Sequence, residues 1–169
     1  MHIGFDAKRL FLNYTGLGNY SRYVVDTLLQ YKPNDHYFLY TPKTLINNRT
    51  EHYFDHPAIS IIQPNKFTQF PFINAWWRSA GIVHDPSFKK LDIYHGLSHE
   101  LPMNIPSHIK KFVTTHDLIF YRYPEFYHPI DVLIYKQKLK SACQRADKIM
   151  AISEQTADDL VSVSYTHLT

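Results

Sequence analysis

Two short stretches carry residue types with chemistry to offer. In Thr15-Gly16-Leu17-Gly18-Asn19-Tyr20, two glycines lie between an apolar run, His2-Ile3-Gly4-Phe5-Asp6, and a segment of helical periodicity. The first-turn N–H groups of a helix have no intrahelical partner, and the aligned peptide dipoles favour negative charge there. A strand, a glycine turn and a helix N-terminus therefore make an anion site, with glycine letting a phosphate reach the backbone. The second stretch is His116-Asp117, at the carboxyl end of the run Lys111-Phe112-Val113-Thr114-Thr115. An imidazole beside a carboxylate can hold a hydroxyl or move a proton. Each stretch also has a plain structural counterpart, a surface turn for the first and a satisfied internal histidine for the second.

Other chemistries are disfavoured. Gly16-x-Gly18 lacks the third glycine of the dinucleotide fingerprint. The second strand, His36 to Tyr40, runs into Thr41-Pro42 instead of an acidic ribose ligand, which argues against a dehydrogenase-type cofactor domain. His95-Gly96-Leu97-Ser98-His99 has i,i+4 spacing, but no helix is expected after a strand that ends in Gly96. A metal site also needs a third ligand and an organised outer shell, so neither a metal nor a cofactor is expected. No Gly-x-Ser-x-Gly elbow, Walker loop or cysteine–histidine cluster occurs.

The elements that position these residues alternate in type. Strands are expected at His2–Asp6, His36–Tyr40, Ala58–Ile62, Asp92–Gly96, Lys111–His116 and Lys148–Ile152. Helical patterns cover the segment after Gly18, the aromatic stretch from Pro71, about Ile130 to Arg145, and the residues after Ser153, a good N-cap. In the stretch from Pro71, Phe72, Trp76, Ala80 and Val83 share a helical face, as do Ile73, Trp77 and Ala80. The aromatics from Phe67 to Trp77 suit a buried face or contact with lipid. Lys136, Lys138 and Lys140 read as a solvated side, and Cys143 as core. This alternation predicts an α/β domain with a doubly wound parallel sheet. In such sheets ligands bind outside the carboxyl ends of the strands, a rule that collects Asp6, Gly16, Gly18, His95, Gly96, His116, Asp117, Ser153 and Glu154 on one rim.

Composition sets outer limits. The chain has 169 residues, 44% hydrophobic and 20% charged, enough to bury a core. It has a single cysteine, Cys143, which excludes an internal disulfide and suits a reducing compartment. No apolar run is long enough to span a membrane, and no signal peptide is recognisable, so a cytoplasmic location is expected. A net charge of +3 is too small to argue for nucleic acid; it is compatible with anionic substrates or with the inner face of a membrane.

Four motifs in order resemble retaining glycosyltransferases of family 4. They are Thr15-Gly16-Leu17-Gly18-Asn19-Tyr20-Ser21-Arg22, Asp92-Ile93-Tyr94-His95-Gly96, Thr115-His116-Asp117-Leu118 with Tyr123-Pro124-Glu125, and Ala146-Asp147-Lys148-Ile149-Met150-Ala151-Ile152-Ser153-Glu154. The nearest subgroup resembles bacterial mannosyltransferases of surface polysaccharide assembly. The resemblance covers residues 1–161 and implies the acceptor-side, N-terminal Rossmann-like half of a GT-B fold. It implies transfer of a hexose from a nucleotide sugar to a glycan or lipid-linked acceptor, with no metal. Carried over by position, Gly16, Leu17 and Gly18 would lie against the donor diphosphate and His116 beside the transferred sugar. Asp117 would orient the His116 loop, and Asp6, His95, Gly96, Ser153 and Glu154 would form the acceptor rim.

The sequence departs from the family in three places. Thr15 stands where many relatives carry a further glycine. The donor-binding C-terminal domain, with its Glu-x7-Glu motif, is absent from these 169 residues, so this chain alone is expected to be inactive. Residues 162–169 resemble adaptor-derived read-through and are expected to be non-native. The alternative in another class is a non-catalytic nucleotide- or glycan-binding Rossmann module.

Overall fold

Apolar runs of four to six residues that are covered on both faces are at home in a parallel sheet flanked by helices. The computed structural model, which describes residues 1–64 and 71–165, has such a sheet at its centre. Its strands are β1 (His2–Asp6), β2 (His36–Tyr40), β3 (Ile59–Ile62), β4 (Ile93–Gly96), β5 (Lys110–Thr115) and β6 (Lys148–Ala151). All six run parallel in the order β3-β2-β1-β4-β5-β6. The chain winds outward from β1 to β3, then returns to lay β4 on the other side of β1. That reversal opens a crevice at the carboxyl ends of β1 and β4, where doubly wound sheets bind their ligands. Register keeps the ends level, with Phe5 opposite His95, Gly96 opposite Val113, and Thr115 opposite Ala151.

Side-chain alternation along the strands divides the core in two. Ile3, Phe5, Tyr37 and Leu39 pack on one face with Leu10, Phe11 and Val25 from α1 (Lys8–Leu12) and α2 (Gly16–Tyr31). Phe38, Tyr40, Tyr94 and Val113 pack on the other with Trp77, Ile82, Phe88 and Ala142, the last from α5 (Pro129–Arg145). Buried tyrosines serve both halves by finding acceptors for their hydroxyls. Tyr37 donates to the carbonyls of Leu28 and Lys32 at 2.9 and 2.8 Å, and so ties the end of α2 to the sheet. A smaller cluster of Leu118, Phe120 and Leu139 joins α4 (Ile119–Arg122) to α5, and α6 (Glu154–Tyr165) follows β6.

The expected strands are present within a residue or two, and three details differ. The nine residues between β1 and α2 contain a helix, α1. The stretch from Pro71 is not one helix: α3 (Pro71–Trp76) passes into a π turn over Trp77–Gly81 and then a 3-10 turn over Ile82–His84. The Ile82 N–H donates to the carbonyl of Trp77, a wider i→i+5 step that shifts the buried face. Trp77, on the second of the two expected faces, is buried, while Trp76, on the first, is 61% exposed. Phe67, Phe70 and residues 166–169 lie outside the described residues, as does the side chain of Phe72. On α5, Val132, Leu139 and Ala142 are buried, but Ile130 and Leu133 are 73% and 67% exposed. Its lysines are not merely a solvated side. Lys136 lies 4.6 Å over the Tyr121 ring, and Lys138 pairs with Glu100 at 3.0 Å. Cys143 packs against the Leu118 cluster, and burial pushes its thiol up to about 11. Helix α6 continues through residues 162–165. No helix among the described residues is long and apolar enough to cross a membrane.

Candidate functional site

The glycine turn is built around Asn13 and Arg22. The Asn13 side-chain oxygen accepts from the Thr15 N–H (2.9 Å), the Thr15 hydroxyl (2.8 Å) and the Gly18 N–H (3.2 Å). Arg22, buried on α2, donates to the carbonyls of Leu10 (2.7 Å) and Asn13 (3.0 Å) and to the Asn19 side chain (2.7 Å). These bonds lock α1, the turn and α2 into one unit. The two glycines then have different reasons to be glycine. A Cβ on Gly18 would stand 1.8 Å from the Asn13 carbonyl oxygen, so this position is filled by the protein itself. A Cβ on Gly16 would meet nothing within 4 Å. The N–H groups of Gly16 and Leu17 have no acceptor among the described residues, as expected for a first helical turn.

His116 follows β5 directly and is buried. Its Nε2 lies 2.8 Å from the Leu97 carbonyl oxygen, which can only accept, so Nε2 carries a proton and Nδ1 is the ring's remaining polar atom. The Tyr20 ring meets the His116 ring edge-on at 4.8 Å. The Tyr20 hydroxyl in turn lies 3.1 Å from the Thr114 hydroxyl. Asp117 accepts from the Ile119 N–H at 3.3 Å and so holds the start of α4. Thr156 on α6 donates to the His116 carbonyl at 3.0 Å. Thr15, Gly16, Leu17, Tyr20, His116 and Asp117 together line one open depression of about 810 Å3, closed on the β6 side by Met150, Ala151 and Ile152. Of the residues read as donor-side, Gly16, Leu17, His116 and Asp117 are thus brought together, and Gly18 lies beneath them.

The rim residues fare unequally. Asp6 ends β1 in a buried ion pair with Arg78, 2.5 Å away, and accepts from the Lys8 N–H at 3.2 Å. Burial opposes ionisation of Asp6, but the Arg78 guanidinium outweighs it and holds the carboxyl below its usual range. Arg78 reaches on to Glu100 (3.2 Å), which also meets Lys138 (3.0 Å). This chain of charges borders a second cavity of about 290 Å3. Lys8 is pushed below the usual lysine value by burial and by the cations Arg78 and Arg9.

His95 and Gly96 lie beneath the rim. His95 is 6% exposed, with Nε2 2.9 Å from the Thr114 hydroxyl, and burial pushes its pKa down to about 4. A Cβ on Gly96 would stand 2.0 Å from the Glu100 carbonyl oxygen: the segment after β4 folds back onto this glycine and covers it. Ser153 is exposed and caps α6 by accepting from the Thr156 N–H at 3.1 Å, and Glu154 is exposed in the first turn.

Sequence reasoning did not find Arg78, Glu100 or His99. The first two partner residues tens of positions away and carry no local pattern. His99 left one trace, its spacing from His95. It stands at φ 57°, a strained conformation for a side chain with a Cβ, held by its N–H donating to the Thr114 carbonyl at 2.9 Å. Its ring lies 5.7 Å from that of His116, and its Nδ1 is buried without a hydrogen-bond partner among the described residues. Burial, with His116 nearby, pushes its pKa down to about 4.

The main depression offers two free N–H groups at the positive end of a 16-residue helix, with an imidazole and a carboxylate facing them. That arrangement can hold an anionic group at the helix end and a hydroxyl-bearing group beside it. Among the described residues no three His, Cys, Asp or Glu side chains gather as a metal ion would require. No protein-family model matches the chain, and searches among curated proteins and solved structures find no match.

Proposed function

We propose that this chain is the acceptor-side half of a retaining glycosyltransferase, moving a hexose from a nucleotide sugar to a glycan or lipid-linked acceptor. The observation that carries this reading is the shared depression. Open N–H groups at Gly16 and Leu17 face His116 and Asp117 across a cavity at the carboxyl edge of the sheet. In the reaction, the bond between the anomeric carbon and the diphosphate breaks with its electron pair going to the leaving oxygen. The acceptor hydroxyl bonds to that carbon, and its proton passes to the leaving phosphate. The helix N-terminus stabilises the departing charge, and His116 holds a hydroxyl of the transferred sugar. No carboxylate is assigned as a general base.

In such an enzyme the donor's base and ribose are held by a second domain, so this half contributes only part of the donor affinity. A diphosphate resting on a few N–H groups in open water gains little, about 0.5–3 kcal/mol for each hydrogen bond. Binding weaker than about millimolar, less than ~4 kcal/mol, is expected. The test is an amide NMR titration of the chain with a nucleoside diphosphate, alongside incubation with nucleotide sugars. Weak shifts at Gly16, Leu17, His116 and Asp117 without turnover would support the reading. Shifts elsewhere or none at saturating ligand would overturn it, and turnover by this chain alone would mean that the donor site is misassigned.

A further inference from the structure

The depression holding Gly16 and His116 adjoins a smaller cavity of about 220 Å3, the two sharing Leu17 and Asp117 as lining. The smaller cavity in turn shares Glu100 and Lys138 with the cavity beside Asp6 and Arg78. The three adjoin in series as one trough, with the Glu100–Lys138 ion pair (3.0 Å) on the wall shared by the second and third.

Three properties of the middle cavity specify a ligand. The first is an aromatic corner. Tyr135 meets Phe120 edge-on at 5.6 Å and Tyr127 at 6.2 Å, and it is 41% exposed, so aromatic surface is open to the cavity. Such surface takes an apolar face while the two phenol hydroxyls remain available for hydrogen bonds.

The second is charge. Arg9 and Lys138 are matched by Glu100 and Asp117, which leaves no net charge to attract an anion. Two of these groups still have hydrogen-bonding capacity to spare. Among the described residues the Arg9 guanidinium has no hydrogen bond or ion pair, and Asp117 accepts only the 3.3 Å bond from the Ile119 N–H. A donor and an acceptor of opposite sign with bonding capacity to spare, set against aromatic rings, suit an uncharged ligand with hydroxyls around an apolar ring face. A pyranose has that form.

The third is strain. His99, held at φ 57° with Nδ1 buried and unpartnered among the described residues, lines this cavity and has its ring 5.7 Å from that of His116. Costs of that kind persist where a surrounding structure is organised for a ligand.

We propose that this cavity seats the terminal sugar of the acceptor, an uncharged hexose unit, and that the Arg78-side cavity receives the next unit. The inference rests on the glycosyltransferase reading for the direction of transfer. The shared residues Leu17 and Asp117 mark the junction where acceptor hydroxyl and transferred sugar come within reach. The acceptor is then a glycan of at least two neutral units, recognised through Arg9, Asp117 and the Tyr127–Tyr135 corner.

The experiment is amide NMR of the full chain titrated with methyl glycosides of neutral hexoses, a neutral disaccharide and a methyl hexuronate, with a nucleoside diphosphate as a separate arm. A neutral glycoside should shift Arg9, Ser98, His99, Tyr127 and Tyr135 saturably in the millimolar range. The disaccharide should bind several-fold tighter and extend the shifts to Arg78 and Ser79. Tyr135→Leu, which keeps bulk against Phe120 and Tyr127, should weaken binding about fivefold. Lys140→Ala, on the same helix, should leave it unchanged. Tyr135→Phe, a second variant that preserves the ring, should bind within about twofold of the parent.

Neutral glycosides that shift nothing, or shift residues outside the trough, overturn the inference. So does a hexuronate that binds more than about tenfold tighter than its neutral counterpart, since that would identify an anion site. The diphosphate arm separates the two claims. Diphosphate shifts at Gly16 with no glycoside binding sink the acceptor site alone. Glycoside binding in the trough without diphosphate shifts keeps this site and sinks the donor reading.

Discussion

Acidification from pH 7 to pH 4 should destabilise this fold by several kcal/mol, with His95 carrying a defined share. The residue is 6% exposed, lies against the rings of Phe5 (5.8 Å) and Phe112 (6.4 Å), and among the described residues has only the Thr114 hydroxyl for a polar partner. Burial pushes its pKa from 6.5 to about 4. Between those values the unfolded chain binds a proton that the folded chain refuses, so stability rises with pH through that window. The contribution is present in full above pH 6.5, declines as pH falls toward about 4, and levels off below that. At 1.36 kcal/mol per pH unit, the distance from 6.5 to about 4 sets a share of about 3 kcal/mol. His99, also pushed down to about 4, acts in the same window with the same sign. Asp6, held below its usual 3.8, keeps its contribution until pH falls below that range.

Against a total stability of about 5–15 kcal/mol for an ordinary domain, losses of this size bring acid unfolding within reach of pH 4–5. The assay is urea denaturation followed by tryptophan fluorescence, with Trp77 buried in the core as reporter, at intervals from pH 7 to pH 4. His95→Phe keeps an aromatic ring against Phe5 and Phe112, and the Thr114 hydroxyl retains the Tyr20 hydroxyl at 3.1 Å. The variant should lose about 3 kcal/mol less than the parent across the window, with similar m-values. Parallel pH profiles for the two proteins would refute the claim that burial of the imidazole sets this dependence.

The two glycines of the turn should respond in opposite ways. Gly16→Val enters open space and should leave the melting temperature nearly unchanged while weakening nucleoside diphosphate binding in calorimetry; unchanged affinity would make the turn merely structural. Gly18→Ala, with its Cβ 1.8 Å from the Asn13 carbonyl oxygen, should cost about 3 kcal/mol in thermal or urea unfolding, and a neutral result would contradict the packing of the turn. Arg78→Met removes the guanidinium from a buried carboxylate, so the Asp6 carboxyl should titrate above 3.8 by carbon-13 NMR, with about 3–5 kcal/mol lost at neutral pH; an unmoved titration would show that burial and Arg78 are not the opposing terms.

The strands were legible because each is a compact apolar run bounded by turn residues, as at Lys32-Pro33-Asn34-Asp35 before β2. Helix α1 was not, since five residues are too few for periodicity to register and no side chain caps it. The helix expected from Pro71 failed for a sharper reason. A period of 3.6 residues gives each tryptophan a face, but one π turn breaks that period beyond Trp76, and of the two tryptophans Trp77 is the buried one.

The site divides along a similar line. Knowing that ligands bind past the carboxyl ends of strands locates His116, directly beyond β5, and Gly16, at the start of the helix that follows α1, and both line the depression. The same rule selects His95 and Gly96, which meet it in sequence and not in depth. The four residues after Gly96 turn back over it, and the missing Cβ is what lets the Glu100 carbonyl approach. Position along a strand is therefore a local property that sequence records. Depth beneath the rim depends on which later segment returns, and Arg78 reaches Asp6 from 72 residues away with no motif to announce it. That long-range return also makes the trough. His95 is a structural group, packed against Phe5 and Phe112 and bonded to Thr114. The same fold-back brings the Leu97 carbonyl to His116, and His99 and Glu100 into the trough lining. The turn that covers Gly96 thus supplies other groups to the trough.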